Sequence, residues 1–210
     1  MNGNVVVRST GGLIVEGSEI RGNVRGSGAE YWGFTGADGG DNTIVTGNVE
    51  FVETISNPLA GSGSDSTSRY NFACEDTQFL SNVSFRNSDD AADFLFGSPD
   101  GGALMRAPDL NMQVAECSEM MGQEDAREGN YVRGNYEALG NTSEVRQRDN
   151  VVDGHFSFFG NTAATPMDDF DIVRNEVTRH LTCQGNTPAP HQEGNSETGP
   201  GSDGDQCPTP

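Results

Sequence analysis

Acidic side chains are the first residues in this sequence with the means to do chemistry. Asp168, Asp169 and Asp171 put three carboxylates within four positions, and Asp89, Asp90 and Asp93 form a second such group. Two carboxylates facing each other across a groove would serve a glycoside hydrolase as acid and base or nucleophile. Clustered hard oxygens also suit calcium, for which Asp38-Gly-Gly-Asp41-Asn42 is a further candidate beside Asp168, Asp169 and Asp171. The chain holds 32 acidic residues in 210, so such clusters follow from composition, and solvated acidic turns are the plainer reading. No catalytic set is assigned. Calcium at Asp168, Asp169 and Asp171 is the one metal expectation, and no other cofactor is implied. His155 and His180 share one repeat position, where Asn135 stands in the preceding unit. A stacked corner is expected of them, since a metal pair there would lack further ligands. No Ser-His-Asp, Walker-type or dinucleotide motif is present.

The elements that carry these residues repeat. Asn130-Tyr-Val-Arg-Gly-Asn135-Tyr leads to Leu139-Gly-Asn141-Thr142, and Asn150-Val-Val-Asp-Gly-His155-Phe leads to Phe159-Gly-Asn161-Thr162. Asn175-Glu-Val-Thr-Arg-His180-Leu leads to Gln184-Gly-Asn186-Thr187, and Asn195 falls where a fourth unit would start. In every unit the second Asn follows the first by eleven positions. Periods of about 20–25 residues with short alternating runs are those of stacked solenoids. Phe156-Ser157-Phe158 and Tyr136-Glu137-Ala138 alternate as strands do, and no apolar set recurs at helical spacing. The pattern predicts an all-β parallel β-helix, a β-solenoid with one coil per unit and room for about nine coils. Equivalent residues would then stack about 4.8 Å apart. Asn130, Asn150 and Asn175 would form one amide ladder, and Asn141, Asn161 and Asn186 another. Ordinary Asn-Gly hairpin turns are the alternative, but hairpins would not hold so long a period.

Residues 1–55 carry the repeat less regularly. Ile14-Val15-Glu16-Gly17 and Ile44 to Phe51 line up with Val151 to Phe158. Tyr31-Trp32-Gly33-Phe34 holds the only Trp, which would stack on a sugar from a loop or, as the preferred reading, pack at the solenoid's end. Residues 56–70 read as an exposed loop, and Phe79 to Phe85 as a coil strand with Ser81 in the place of Gly. From 88 to 129 the pattern is lost, and Ala91 to Phe96 and Met112 to Met121 read as short helical or irregular insertions. One domain is expected, with regular coils at 1–55 and 130–187, irregular coils at 56–129, and a cap at 188–210. Asn82-Val-Ser84 and Asn141-Thr-Ser143 are formal glycosylation sequons, though Asn141 also fits the ladder.

Net charge is −20, from 32 acidic and 12 basic residues, and all the basic ones are Arg. Such charge excludes nucleic acid and anionic membrane surfaces as natural partners. It suits solubility in high salt, or a high-GC genome that favours Arg. No apolar run approaches a membrane span, and no signal peptide is visible before the strand-like Asn4-Val5-Val6-Val7. Cys74, Cys117, Cys183 and Cys207 do not match zinc spacing and suggest disulfides in an oxidising compartment. Cys183 and Cys207 bracket the Pro-rich tail at about one coil's separation, which sets them on adjacent layers. Bridging them would contribute about 3 kcal/mol.

His180-Leu-Thr-Cys183-Gln-Gly-Asn186-Thr-Pro-Ala-Pro190, then Gly194-Asn195, then Gly204-Asp-Gln-Cys207, resembles the ending of secreted bacterial right-handed parallel β-helix proteins common in actinobacteria. The likeness covers 130–207 well and the first 55 residues faintly. It implies a right-handed parallel β-helix and export, and no particular activity. The missing Lys and the irregular middle depart from the pattern. An extracellular or cell-surface structural or adhesive protein is therefore expected, with copies of itself as partner in an oligomer or filament joined at the open N-terminal strand edge. A polysaccharide-active lyase or hydrolase, or a carbohydrate-binding module, is the alternative, resting on analogy of fold.

Overall fold

The structure is a computed structural model that describes residues 1–9, 11–29, 31–35, 42–54, 71–73, 77–87, 94–97, 130–142, 145–163, 170–199 and 206–207. Its elements are all β-strands, and they form three seven-stranded sheets. Sheet one contains β1 (Val5–Val7), β4 (Val24–Ser27), β7 (Val49–Val52), β10 (Val83–Arg86), β13 (Tyr136–Leu139), β16 (Phe156–Phe159) and β19 (Leu181–Gln184). Sheet two contains β2 (Gly12–Glu16), β5 (Tyr31–Thr35), β8 (Asn71–Ala73), β11 (Phe94–Gly97), β14 (Val145–Arg148), β17 (Phe170–Val173) and β20 (His191–Glu193). Sheet three contains β3 (Glu19–Ile20), β6 (Thr43–Val45), β9 (Thr77–Phe79), β12 (Tyr131–Val132), β15 (Val151–Val152), β18 (Glu176–Val177) and β21 (Ser196–Glu197). The chain visits the sheets in strict rotation, so each strand pairs in parallel with the one three elements on. Val24 lies beside Val49, Val49 beside Val83, Val83 beside Tyr136, and Tyr136 beside Phe156.

Alternation fixes which residues face in. In β7, β10, β13 and β16 the first and third residues are buried and the others half-buried. Strands this short need only one or two inward side chains each, and those are large. Trp32 stacks on Phe85 with ring centroids 4.2 Å apart, Phe34 meets Phe79 edge-on at 5.4 Å, and Tyr136 lies 4.9 Å from Phe156. Aromatic pairs at such separations contribute about 0.5–1.5 kcal/mol beyond the area they bury. Room for them comes from small neighbours, since a Cβ on Gly26 would lie 2.3 Å from the Phe51 ring.

Several local expectations need correction. Ile14-Val15 belongs to β2 in sheet two, whereas Val151-Val152 is β15 in sheet three. The counterpart of Val151-Val152 is Glu19-Ile20, which reads weakly because only its second residue must be apolar to face the core. Phe79 to Phe85 is not one strand but the end of β9, a turn, and the start of β10. Phe94–Gly97 is a parallel strand between β8 and β14, not a helical insertion. Each sheet has seven strands among the described residues, against about nine expected coils, because Val83 and its partner Tyr136 are 53 positions apart. Met112 to Met121 lies outside the described residues.

Glycine is demanded where layers touch at the corner before sheet one. A Cβ on Gly47 would sit 2.4 Å from the Gly22 carbonyl oxygen, and one on Gly154 would sit 2.4 Å from that of Gly134. Gly47→Ala is expected to destabilise the fold by about 2–3 kcal/mol, because the obstruction is backbone and cannot rotate away. Gly160, at φ +61° with open space around it, should cost only about 1 kcal/mol on the same change. Urea unfolding of the two variants checks the difference.

Candidate functional site

Side chains at the corners form columns, one residue per layer. The first column is buried. The Asn150 Oδ1 accepts from the Asn130 N–H at 3.2 Å, the Asn175 Oδ1 from the Asn150 N–H at 3.1 Å, and the Asn195 Oδ1 from the Asn175 N–H at 2.9 Å. Its N-terminal continuation is hydroxylic, since Thr43 and Thr77 hold the same register and the Thr43 hydroxyl accepts from the Ser18 N–H. The second column links Asn141 to Asn161 and Asn161 to Asn186 at 3.0 Å each and ends on the side chain of Gln206 at 2.8 Å. Asn150, Asn175 and Asn195 in the first column and Asn161 and Asn186 in the second each accept from the backbone of the layer before and donate through the side-chain amide. The candidate ladder residues are thus brought together as two internal struts, out of reach of any ligand. Asn141 is 1% exposed, so the acceptor Asn of that sequon is buried.

The third column is exposed. Gly3-Asn4-Val5, Gly22-Asn23-Val24, Gly47-Asn48-Val49, Ser81-Asn82-Val83, Gly134-Asn135-Tyr136, Gly154-His155-Phe156 and Arg179-His180-Leu181 each enter a sheet-one strand in the same way. Here the bonds run the other way: Asn23 N–H donates to the Asn4 Oδ1, Asn48 N–H to Asn23 and Asn135 N–H to Asn82, each at 2.9 Å. His155 N–H donates to the Asn135 Oδ1 at 2.9 Å, and the His155 and His180 rings stack at 5.1 Å with a 20° interplanar angle. Gly-Asn-Val, recurring at 3–5, 22–24 and 47–49, is the sequence signal for this column. Asn82 belongs to this column and its amide donates to the Asn48 Oδ1 at 3.3 Å, so this sequon is exposed but already engaged.

Beside the exposed column runs a groove of about 450 Å³, lined among others by Asn4, Asn23, Asn48, Asn82, Val6 and Ser84. Its floor is the outer face of sheet one, where register places Val6, Arg25, Glu50, Ser84, Glu137 and Ser157 in one line. Both carboxylates on that line are paired with Arg, one on the line and one two residues along β10. The Arg25 Nε donates to Glu50 at 2.8 Å, and the Arg86 Nη2 reaches Glu137 at 2.5 Å. Such exposed pairs contribute little stability; among the described residues lining the groove, Glu50 is the carboxylate, and it is paired with Arg25. The amide nitrogens of Asn4, Asn23 and Asn48 have no partner among the described residues and are spaced by the layers.

Elsewhere acids are also tied to donors. Asp149 takes two bonds from Arg174, at 2.6 and 2.7 Å. The Tyr131 hydroxyl donates to Asp153 at 2.5 Å, and that bond, followed by burial, raises its pKa. Arg21 grips Glu19 and holds its carboxyl below the usual range. Asp171 lies on β17 rather than in a solvated turn, and its nearly buried carboxylate pairs with Arg148. Asp168 and Asp169 lie outside the described residues, as do Asp38, Asp41, Asp89, Asp90, Asp93, Cys74 and Cys117. Among the described residues no three His, Cys, Asp or Glu side chains converge on one metal position. Trp32, 1% exposed, is a core residue and offers no face to a sugar. Cys183 and Cys207 form a disulfide across a Cα–Cα distance of 5.2 Å. No family model, curated protein or solved structure matches the chain.

Proposed function

We propose that the chain is a right-handed parallel β-helix whose coils are the successive layers, and that it serves outside the cell as a structural or adhesive scaffold holding an uncharged polysaccharide along its amide groove. The observation that carries this reading is the row of unpartnered Asn amide donors on adjacent layers beside a floor of self-neutralised charges. Sugar hydroxyls accept from amides, and an extended glycan can repeat its contacts at about the layer spacing, ~4.8 Å. The net charge of −20 disfavours polyuronates and nucleic acids. A disulfide fits an oxidising exterior.

Asn23→Asp with Asn48→Asp keeps the Oδ1 acceptors that hold the column and removes the free donors. Affinity for neutral polysaccharides on a glycan panel should fall about tenfold or more, with thermal stability nearly unchanged. Equal binding by both proteins, or preference for polyuronates, would sink this reading. Release of reducing ends during the same assay would favour a polysaccharide-active enzyme instead.

Self-assembly into filaments is the second reading. It rests on β1 and β2, the outermost strands of their sheets among the described residues, on which Val6 is 63% and Ile14 44% exposed. Strand edges of this kind pair with further copies. Electron microscopy at low and at molar salt tests it, and dispersed single particles in both would remove it.

A further inference from the structure

We propose that the C-terminal end of the exposed corner column is a binding site for a divalent transition metal, with His155 and His180 as ligands and Glu197 as the group that orients them. The column is amide from Asn4 to Asn135 and changes to imidazole only in its last two layers. That change coincides with a second departure. Ile20, Val45, Phe79, Val132, Val152 and Val177 form the inward column of sheet three, and Glu197 follows in the next layer. Its side chain is 4% exposed, one oxygen lies 3.2 Å from the His180 Nδ1, and the other is buried with no hydrogen-bond partner.

A carboxylate accepts only, so in the neutral ring, the form that binds metal, the bond places the proton of His180 on Nδ1 and leaves Nε2 with its lone pair. A carboxylate behind an imidazole in this way fixes the tautomer and makes the ring a better ligand. Burying a half-satisfied carboxylate is unfavourable, and a cation bound to His180 offsets that cost electrostatically. His155 supplies the second ligand from the adjacent layer. Two metal–nitrogen bonds of about 2.0–2.1 Å span at most ~4 Å, so the stacked rings, with centroids 5.1 Å apart, must rotate out of the stack until their in-plane nitrogen lone pairs converge on one point. Both rings are partly exposed at the corner. Water completes the coordination. Imidazole pairs select Cu²⁺ over Zn²⁺ and bind neither Ca²⁺ nor Mg²⁺ appreciably.

Calorimetric titration of the chelator-treated full chain with Zn²⁺ and Cu²⁺, at neutral pH in a buffer that does not bind metal, tests this. One saturable site is expected, tighter for Cu²⁺, with Ca²⁺ unable to compete. His155→Asn restores the residue type of Asn135 and should keep the fold while weakening Zn²⁺ binding at least tenfold. Glu197→Gln should weaken it about tenfold while leaving the stoichiometry unchanged. The proposal is overturned if no saturable binding appears, if His155→Asn binds as tightly as the parent, or if only His191→Asn abolishes binding.

Discussion

An Asn161→Ala chain is expected to lose about 3–5 kcal/mol of stability, which in a domain of this size lowers the melting temperature by roughly 10 °C or more. The size follows from the number of bonds that one amide closes inside the core. Its Oδ1 accepts from both the N–H and the side-chain amide of Asn141, each at 3.0 Å. Its Nδ2 donates to the Ala138 carbonyl at 3.1 Å and to the Asn186 Oδ1 at 3.0 Å. Alanine removes all four at a position that is 0% exposed in the native chain. Asn161→Asp should do no better, because it keeps the acceptor but loses both donations and buries a charge. Thermal unfolding followed by circular dichroism measures both, with Asn48→Asp as the exposed comparison. Near-equal losses at Asn161 and Asn48 would show that the buried column is not what holds the layers in register.

That contrast also explains which parts of the fold the sequence displays. Asn130, Asn150 and Asn175 recur because a buried amide must satisfy donor and acceptor at once and only Asn has the right reach, so the period is written in one letter. In the N-terminal layers the same corner uses Ser18, Thr43 and Thr77. A hydroxyl fills the space with fewer bonds, and the repeat fades from view although the geometry continues. Sheet-three strands are two or three residues long and need one inward side chain. Glu19-Ile20 therefore carries almost no pattern, and the more apolar Ile14-Val15 takes its place in a reading by hydrophobicity. Phe94–Gly97 hides for a similar reason, since a four-residue apolar run suits a buried strand or a helical turn equally until its partners are known.

The exposed column beside the groove is also written in the sequence. Gly-Asn-Val at 3–5, 22–24 and 47–49 and Ser-Asn-Val at 81–83 repeat as clearly as the C-terminal units. Glycine at 22 and 47 is there because the preceding layer's backbone lies against it, and Asn because its Oδ1 caps the following layer. What no one-dimensional pattern reveals is the pairing of Arg25 with Glu50 and of Arg86 with Glu137. Those partners are 25 and 51 positions apart, and only the register brings them together. Counting acids along the chain therefore overstates the free carboxylate available for catalysis or calcium. Asp171 shows the same, being spent on Arg148 across neighbouring strands of sheet two.

Reduction of the Cys183–Cys207 disulfide should cost about 3 kcal/mol from the 24-residue loop it closes, or roughly 6–12 °C in melting temperature. The loss should not be uniform. Gln206, next to Cys207, is the last rung of the second buried column. Its side-chain oxygen accepts from the Asn186 N–H and amide at 2.8 and 3.1 Å, its amide donates back to the Asn186 carbonyl at 2.9 Å, and its own N–H reaches the Cys183 carbonyl at 3.2 Å. The disulfide holds that rung in place, and without it the Asn186 layer opens to water. Layers that touch only their neighbours unfold from an end. Hydrogen exchange on the reduced chain should therefore speed first at Leu181–Gln184 and Asn186, while Val83–Arg86 stays protected. Gln206→Ala in the oxidised chain should reproduce part of the local effect with the covalent link intact. Uniform acceleration across all three sheets on reduction would mean that the layers unfold as a single cooperative unit, and that the staple acts on the whole rather than on its end.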